Sequence, residues 1–137
     1  MSIRVHMTPN PVCLPSSATL VEAARRMRDD DIGDVLVLDG EQLRGVATDR
    51  DLVVRGVAEG CDPAATTLAE VCSGGLVTLS PDDPVDHAER LMREHAVRRL
   101  PVVEGGRPIG VVSIGDLAVD LDAESALADI SAAPSNS

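Results

Sequence analysis

Apolar positions along this chain form one pattern, and the pattern occurs twice. Val12 to Leu14 alternates in strand fashion, and Leu20, Ala23, Ala24 and Met27 then occupy the i, i+3, i+4 and i+7 positions of one helical face. A helix is therefore predicted over residues 20–28. The polar stretch from Ser16 to Thr19 just ahead of it supplies capping side chains. Two short apolar runs follow, Val35 to Leu38 and Leu43 to Ala47, separated by Asp39 and Gly40, a pair suited to the positive φ angles of a tight hairpin. A last helix is predicted over residues 49–58, with Gly60 and Pro63 as stop signals.

Shifting the sequence by 65 positions lays this unit on a second one: Val12 on Val77, Leu14 on Leu79, Ala23 on Ala88, Met27 on Met92, Val37 on Val102 and Gly40 on Gly105. The strongest match is GVATDRDLVV at 45–54, which returns without insertion as GVVSIGDLAV at 110–119. A fixed internal period of this kind sets the architecture. We read an α/β fold of tandem repeats, each strand-helix-strand-strand-helix. Residues 1–62 form the first repeat and 63–125 the second, and 126–137 form a C-terminal tail expected to be partly disordered. Each repeat opens with a short apolar turn, Ile3, Val5 and Met7 in one and Leu68, Val71 and Cys72 in the other. A unit of about 55 residues buries too little apolar surface alone, so the two are expected to pack together. Leu52, Val53, Val54 and Val57, and Leu117, Ala118, Val119 and Leu121, place apolar residues on more than one side of their helices. A surplus face predicts a partner, most simply a second copy in a homodimer.

Composition narrows the function. A net charge of -11 argues against nucleic acid, and the absence of Phe, Tyr and Trp removes the stacking platforms of single-strand binders. No apolar run reaches the ~20 residues of a membrane helix. Three cysteines at irregular spacing, with no signal-peptide pattern ahead of them, predict reduced thiols and a cytoplasmic location. His6, Cys13, Cys61, Cys72, His87 and His95 could supply zinc ligands, but no CxxC or HxxxH spacing joins them, so no metal is expected. No nucleophile elbow, P-loop or GxGxxG string occurs, and enzymatic activity is not expected.

In both copies of the repeated string a hydroxyl residue, Thr48 or Ser113, precedes an aspartate, Asp51 or Asp116, by three positions at a helix start. This string, the MTPNPV opening at 7–12 and the LPVV strand at 100–103 resemble the cystathionine-β-synthase (CBS) domain, doubled as the pair called a Bateman module. The resemblance covers roughly residues 3–121. It implies sheets with helices packed between the repeats, a cleft on each side, disk-like dimers, and a regulatory role without catalysis. It further implies an adenosine-type ligand (AMP, ADP, ATP or S-adenosylmethionine), with the aspartate on the ribose hydroxyls and the Thr or Ser near ribose and phosphate. The strand proline of the family is present as Pro101, whereas the first repeat has Leu36 there.

The chemistry suits those residue types: a helix N-terminus attracts phosphate, a carboxylate accepts from two vicinal hydroxyls, and the glycine ahead of the string lets backbone and ligand approach closely. A plainer reading stands beside it. Hydroxyl and acid three apart form a capping box, worth on the order of 1 kcal/mol for stability alone. Arg98 and Arg99 at the second hairpin, and Arg50 in the first turn of its helix, are the candidate phosphate partners, against the reading that they are solvated charges. Without aromatic residues a base would lie between aliphatic walls, for which Val12, Val35, Val77 and Leu100 are the candidates, each otherwise a core residue. An effector protein would be the downstream partner, its identity unspecified. The competing expectations are a ligand-free interaction dimer and a metal- or thiol-dependent stress protein.

Overall fold

The structure is a computed structural model that describes residues 2–121. Two three-stranded sheets carry the architecture, one in the order β2-β3-β4 and the other β1-β6-β5. The first comprises β2 (Cys13–Pro15), β3 (Asp34–Asp39) and β4 (Gln42–Thr48), with β2 parallel and β4 antiparallel to β3. The second comprises β1 (Thr8–Pro9), β5 (Arg99–Glu104) and β6 (Arg107–Ser113), all antiparallel. A mixed α/β fold with repeated element order is thus what forms.

Helix α1 (Leu20–Asp30) begins where Thr19 accepts the Glu22 N–H at 3.2 Å, and buries Leu20, Ala23 and Met27 along the stripe read from the sequence. Its counterpart α4 (Val85–His95) buries Val85, Ala88 and Met92. Both helices end on a left-handed residue, Asp31 at φ 55° and Ala96 at φ 53°. Aspartate tolerates that conformation; alanine's Cβ meets its own carbonyl there, at roughly 1 kcal/mol. Ala96→Gly is therefore expected to raise stability by about 1 kcal/mol, visible as a higher melting temperature. The hairpins turn as expected, on Gly40 at φ 62° and on Gly105 and Gly106 at 61° and 82°.

Three elements differ from the sequence expectation. Val77 to Leu79 forms no strand, only a single bridge from Leu79 to Val102, because Pro81 and Pro84 leave the segment little room to continue a ladder. The helix expected over 49–58 is three successive windings: α2 (Asp49–Asp51), a wide π-turn (Leu52–Gly56) and a 3-10 turn (Val57–Glu59) closed by left-handed Gly60. Gly56 lets this winding lie on α1, since a Cβ there would sit 2.6 Å from Leu20 Cδ1. The matching helix α5 (Ile114–Leu121) stays regular. The tail expected over 126–137 lies outside the described residues.

The third difference concerns the opening turns. The chain divides into two compact units, which among the described residues are 12–76 on one hand and 2–11 with 77–121 on the other. In the first unit Leu68 and Val71 of α3 (Leu68–Val71) join the core of Leu20, Ala23, Met27, Val35, Val37, Ala47 and Leu52. In the second, Ile3 of the 3-10 turn Ile3–Val5 is fully buried against Leu79, Val85, Ala88, Met92 and Leu100. Each repeat thus gives its opening turn to the body of the other. The compact units and the repeats expected from the sequence, 1–62 and 63–125, are cut at different places.

The exchange is anchored by matched backbone contacts. Thr8 pairs with Val111 on β6, and at the corresponding position Ser73 bridges Val46 on β4, with N–H to carbonyl distances of 3.0 and 3.1 Å. Gly45 and Gly110, the glycines that open the repeated string, face these segments. A Cβ on Gly45 would lie 2.2 Å from the Ser73 carbonyl oxygen, and one on Gly110 would lie 2.7 Å from Met7 Sδ and 2.9 Å from the Thr8 carbonyl oxygen. The close approach expected there for a ligand is made by the chain's own exchanged segment.

Candidate functional site

Both repeated strings fold into the same local object. In the first, the Asp51 N–H donates to Thr48 Oγ1 at 3.0 Å, and the Thr48 N–H donates to Asp51 Oδ2 at 2.9 Å. In the second, the Asp116 N–H donates to Ser113 Oγ at 3.2 Å and the Ser113 N–H to Asp116 Oδ2 at 3.0 Å. These are reciprocal capping boxes, so the stability reading of the spacing is realised at both. Both aspartates are only partly buried, and the box uses one oxygen of each. An ionised carboxylate has about four acceptor positions, so the cap does not exhaust it.

The strand that leads into each box brings a neighbour with it. Thr48 stands opposite Asp34 in the β3–β4 ladder, and Ser113 stands opposite Arg99 in the β5–β6 ladder. The first helix start is tied by the Asp49 N–H to the Gly33 carbonyl at 2.9 Å, the second by the Ile114 N–H to the Arg98 carbonyl at 2.8 Å. Arg98 and Arg99 thus adjoin the second box. Arg50 is exposed, and its N–H donates to Asp49 Oδ1 at 2.7 Å. Arg55, overlooked in the sequence, approaches Asp51 Oδ1 at 3.8 Å; its i, i+4 spacing was the available signal.

The residues expected as aliphatic walls differ in burial. Val12 and Val77 are partly buried against their units' cores. Val35 and Leu100, exposed by 1% and 2%, are core side chains, because the antiparallel ladders that present Thr48 and Ser113 turn them inward. They have no face to offer a base. Pro101 is likewise buried, its carbonyl accepting the Leu79 N–H at 2.9 Å.

The zinc candidates do not converge: among the described residues no three His, Cys, Asp or Glu side chains are grouped to hold a metal ion. His87 instead lies 2.7 Å from Arg90 and 3.9 Å from Asp83. Burial pushes the Cys13 thiol up, against a smaller opposite pull from Arg26. Among the described residues no helix is long and apolar enough to cross a membrane. The acidic stretch that ends α1 is partly neutralised, Asp30 by Arg26 at 2.6 Å and Asp29 by Arg28 at 2.9 Å.

One groove of 490 Å³ lies within the 12–76 unit, between α1 and the π-turn, lined mainly by Leu20, Val21, Ala24, Met27, Leu52 and Val53. Val53 and Val57, which also line it, are 57% and 61% exposed.

Comparison with known proteins agrees with this construction. The CBS domain family matches twice, over residues 2–56 and 68–122. The chain is 37% identical over 134 residues to the CBS domain-containing protein YhcV of Bacillus subtilis, spanning 95% of each. It is 34% identical over 113 residues to hypoxic response protein 1 of Mycobacterium tuberculosis, covering 82% of this chain and 79% of that one. A crystal structure of Hypoxic Response Protein I with two coordinated zinc ions superposes with a TM-score of 0.81 at 34% identity, covering 88% of this chain and 99% of that one. The CBS domain pair of protein MJ0100, solved with 5'-methylthioadenosine and S-adenosylmethionine, shares the fold at a TM-score of 0.75 and 21% identity, over 91% and 98% of the two chains. With two family matches laid over two copies of one box, the chain belongs to the CBS domain family, as a tandem pair.

Proposed function

We propose that this CBS pair is a regulatory module, with no reaction of its own, that takes an adenosine-containing ligand (AMP, ADP, ATP or S-adenosylmethionine) at its hydroxyl–aspartate boxes. The observation that carries this reading is the second carboxylate oxygen: each aspartate caps its helix with Oδ2, and Oδ1 takes no part in the cap, Asp51 Oδ1 having Arg55 at 3.8 Å. Cap and sugar grip are compatible in one side chain. Output follows when the ligand favours one of two shapes, or one state of partner affinity, over the other.

The chain has no Phe, Tyr or Trp, so a bound base dominates its absorbance at 260 nm. Calorimetric titration with AMP, ATP and S-adenosylmethionine is expected to show binding, and Asp116→Ala to abolish it while the far-ultraviolet circular dichroism stays unchanged. If no nucleotide binds at millimolar concentration and the alanine variant merely melts earlier, the chain is an interaction module whose boxes are caps. The reciprocal closure of both boxes is the observation behind that second reading.

We further infer that the module self-associates through the α1 and π-turn face. Its groove carries Arg25, Arg28 and Asp49 among apolar side chains, and exposed Val53 and Val57 extend the apolar surface that a second copy would cover. Val53→Asp with Val57→Asp is expected to give a monomer by light scattering; an unchanged mass would move the interface elsewhere. Metal analysis of the purified chain tests the zinc alternative, raised by the structure of Hypoxic Response Protein I with two zinc ions.

A further inference from the structure

We infer that copies of this chain meet first repeat to first repeat, α1 and the π-turn of one lying on the same elements of the other, and that carboxylates keep the corresponding surface of the second repeat out of the contact. This rests on the self-association proposed above and says which half carries it. Val53 and Val57 line the groove beside α1 yet are more than half exposed, and Val54 next to them is exposed as well. One wall of the hollow is therefore an apolar crest. A surface that owns both hollow and crest can be covered by a second copy of itself about a two-fold axis, where every contact is made twice. Gly56 gives the hollow its form by letting the π-turn lie close on α1, a Cβ there falling 2.6 Å from Leu20 Cδ1; the residue 65 positions on is Leu121.

The second repeat departs from this surface at its apolar positions. Val21 and Ala24 of α1 become Asp86 and Glu89 of α4, and Val53 and Val57 become Ala118 and Asp122. Ile114, exposed where the first repeat has Asp49, runs the other way. The basic positions do not separate the two surfaces, since Arg25 and Arg28 recur as Arg90 and Arg93. Long arginine stems can cover apolar surface while the guanidinium stays in water. A head-to-tail contact would lay Asp86 and Glu89 on the apolar groove of another copy, and a carboxylate that loses water there needs a partner of equal strength. Arg28 already holds Asp29 at 2.9 Å, which leaves Arg25 to answer both. First repeat on first repeat sets valine and alanine against their own kind and asks for no such partner.

Reciprocal grafts in the full chain test the arrangement, with light scattering over a dilution series as the readout and circular dichroism as the check on folding. The unaltered chain is expected as a dimer. Val21→Asp with Ala24→Glu, which writes the second repeat's residues into the first, is expected to weaken the dimer at least ten-fold. Ala24→Glu alone, at an exposed position, should weaken it in the same direction and carries the test if the double variant fails to fold. The converse pair, Asp86→Val with Glu89→Ala, is expected to leave the dimer as tight or tighter. A converse variant that dissociates ten-fold more readily, or α1 variants within two-fold of the unaltered chain, would overturn the first-repeat contact and leave self-association standing. A monomer for the unaltered chain at every concentration removes the self-association reading, and this inference with it.

Discussion

Gly45→Ala is expected to destabilise the protein by about 3 kcal/mol, with a fall in melting temperature of roughly 10 °C. The added methyl would stand 2.2 Å from the Ser73 carbonyl oxygen and 3.0 Å from its carbon, and both are backbone atoms that no rotamer change can clear. Relief requires that the Ser73–Val46 pairing open, and with it the seat of α3. Gly40→Ala makes the control: nothing lies within 4 Å of that site, so only its φ of 62° is at issue, worth about 1 kcal/mol. If differential scanning calorimetry finds the Gly45 variant no worse than the Gly40 one, the exchanged segment does not sit as described.

Ile3→Ala should cost about 3 kcal/mol, in the range for a large aliphatic side chain truncated in a packed core. Where the loss appears matters more than its size. Ile3 is first-repeat sequence buried with second-repeat residues, so hydrogen exchange should quicken through residues 77–117 and leave 12–62 close to unaltered. Loss confined to 12–62 would mean that the opening turn packs on its own repeat. Gly110→Ala should act on the same unit more gently, because one of its obstructions is the flexible Met7 thioether.

Much of the candidate site was legible before any coordinates. Thr48 with Asp51 and Ser113 with Asp116 announce a helix start through their three-residue spacing, since a cap is a local device whose partners are neighbours in the chain. The aliphatic walls were read less well. Period-two alternation shows that Val35 and Leu100 share a face of their strands, but not whether that face meets a core or a ligand. Arg55 was missed because its nearness to Asp51 matters only once Oδ2 is committed to the cap.

From residue order alone come the doubled unit, the stripes of α1 and α4, the hairpin glycines, the boxes and the family itself. All of these depend on contacts a few residues apart or on a period of 65 that comparison of the chain with itself exposes. Which body each opening turn joins was settled only by tertiary structure. Ile3 and Leu68 look alike in sequence and would fit either repeat, and the choice falls to contacts distant along the chain, such as Thr8 on Val111 and Ser73 on Val46, that no local propensity encodes.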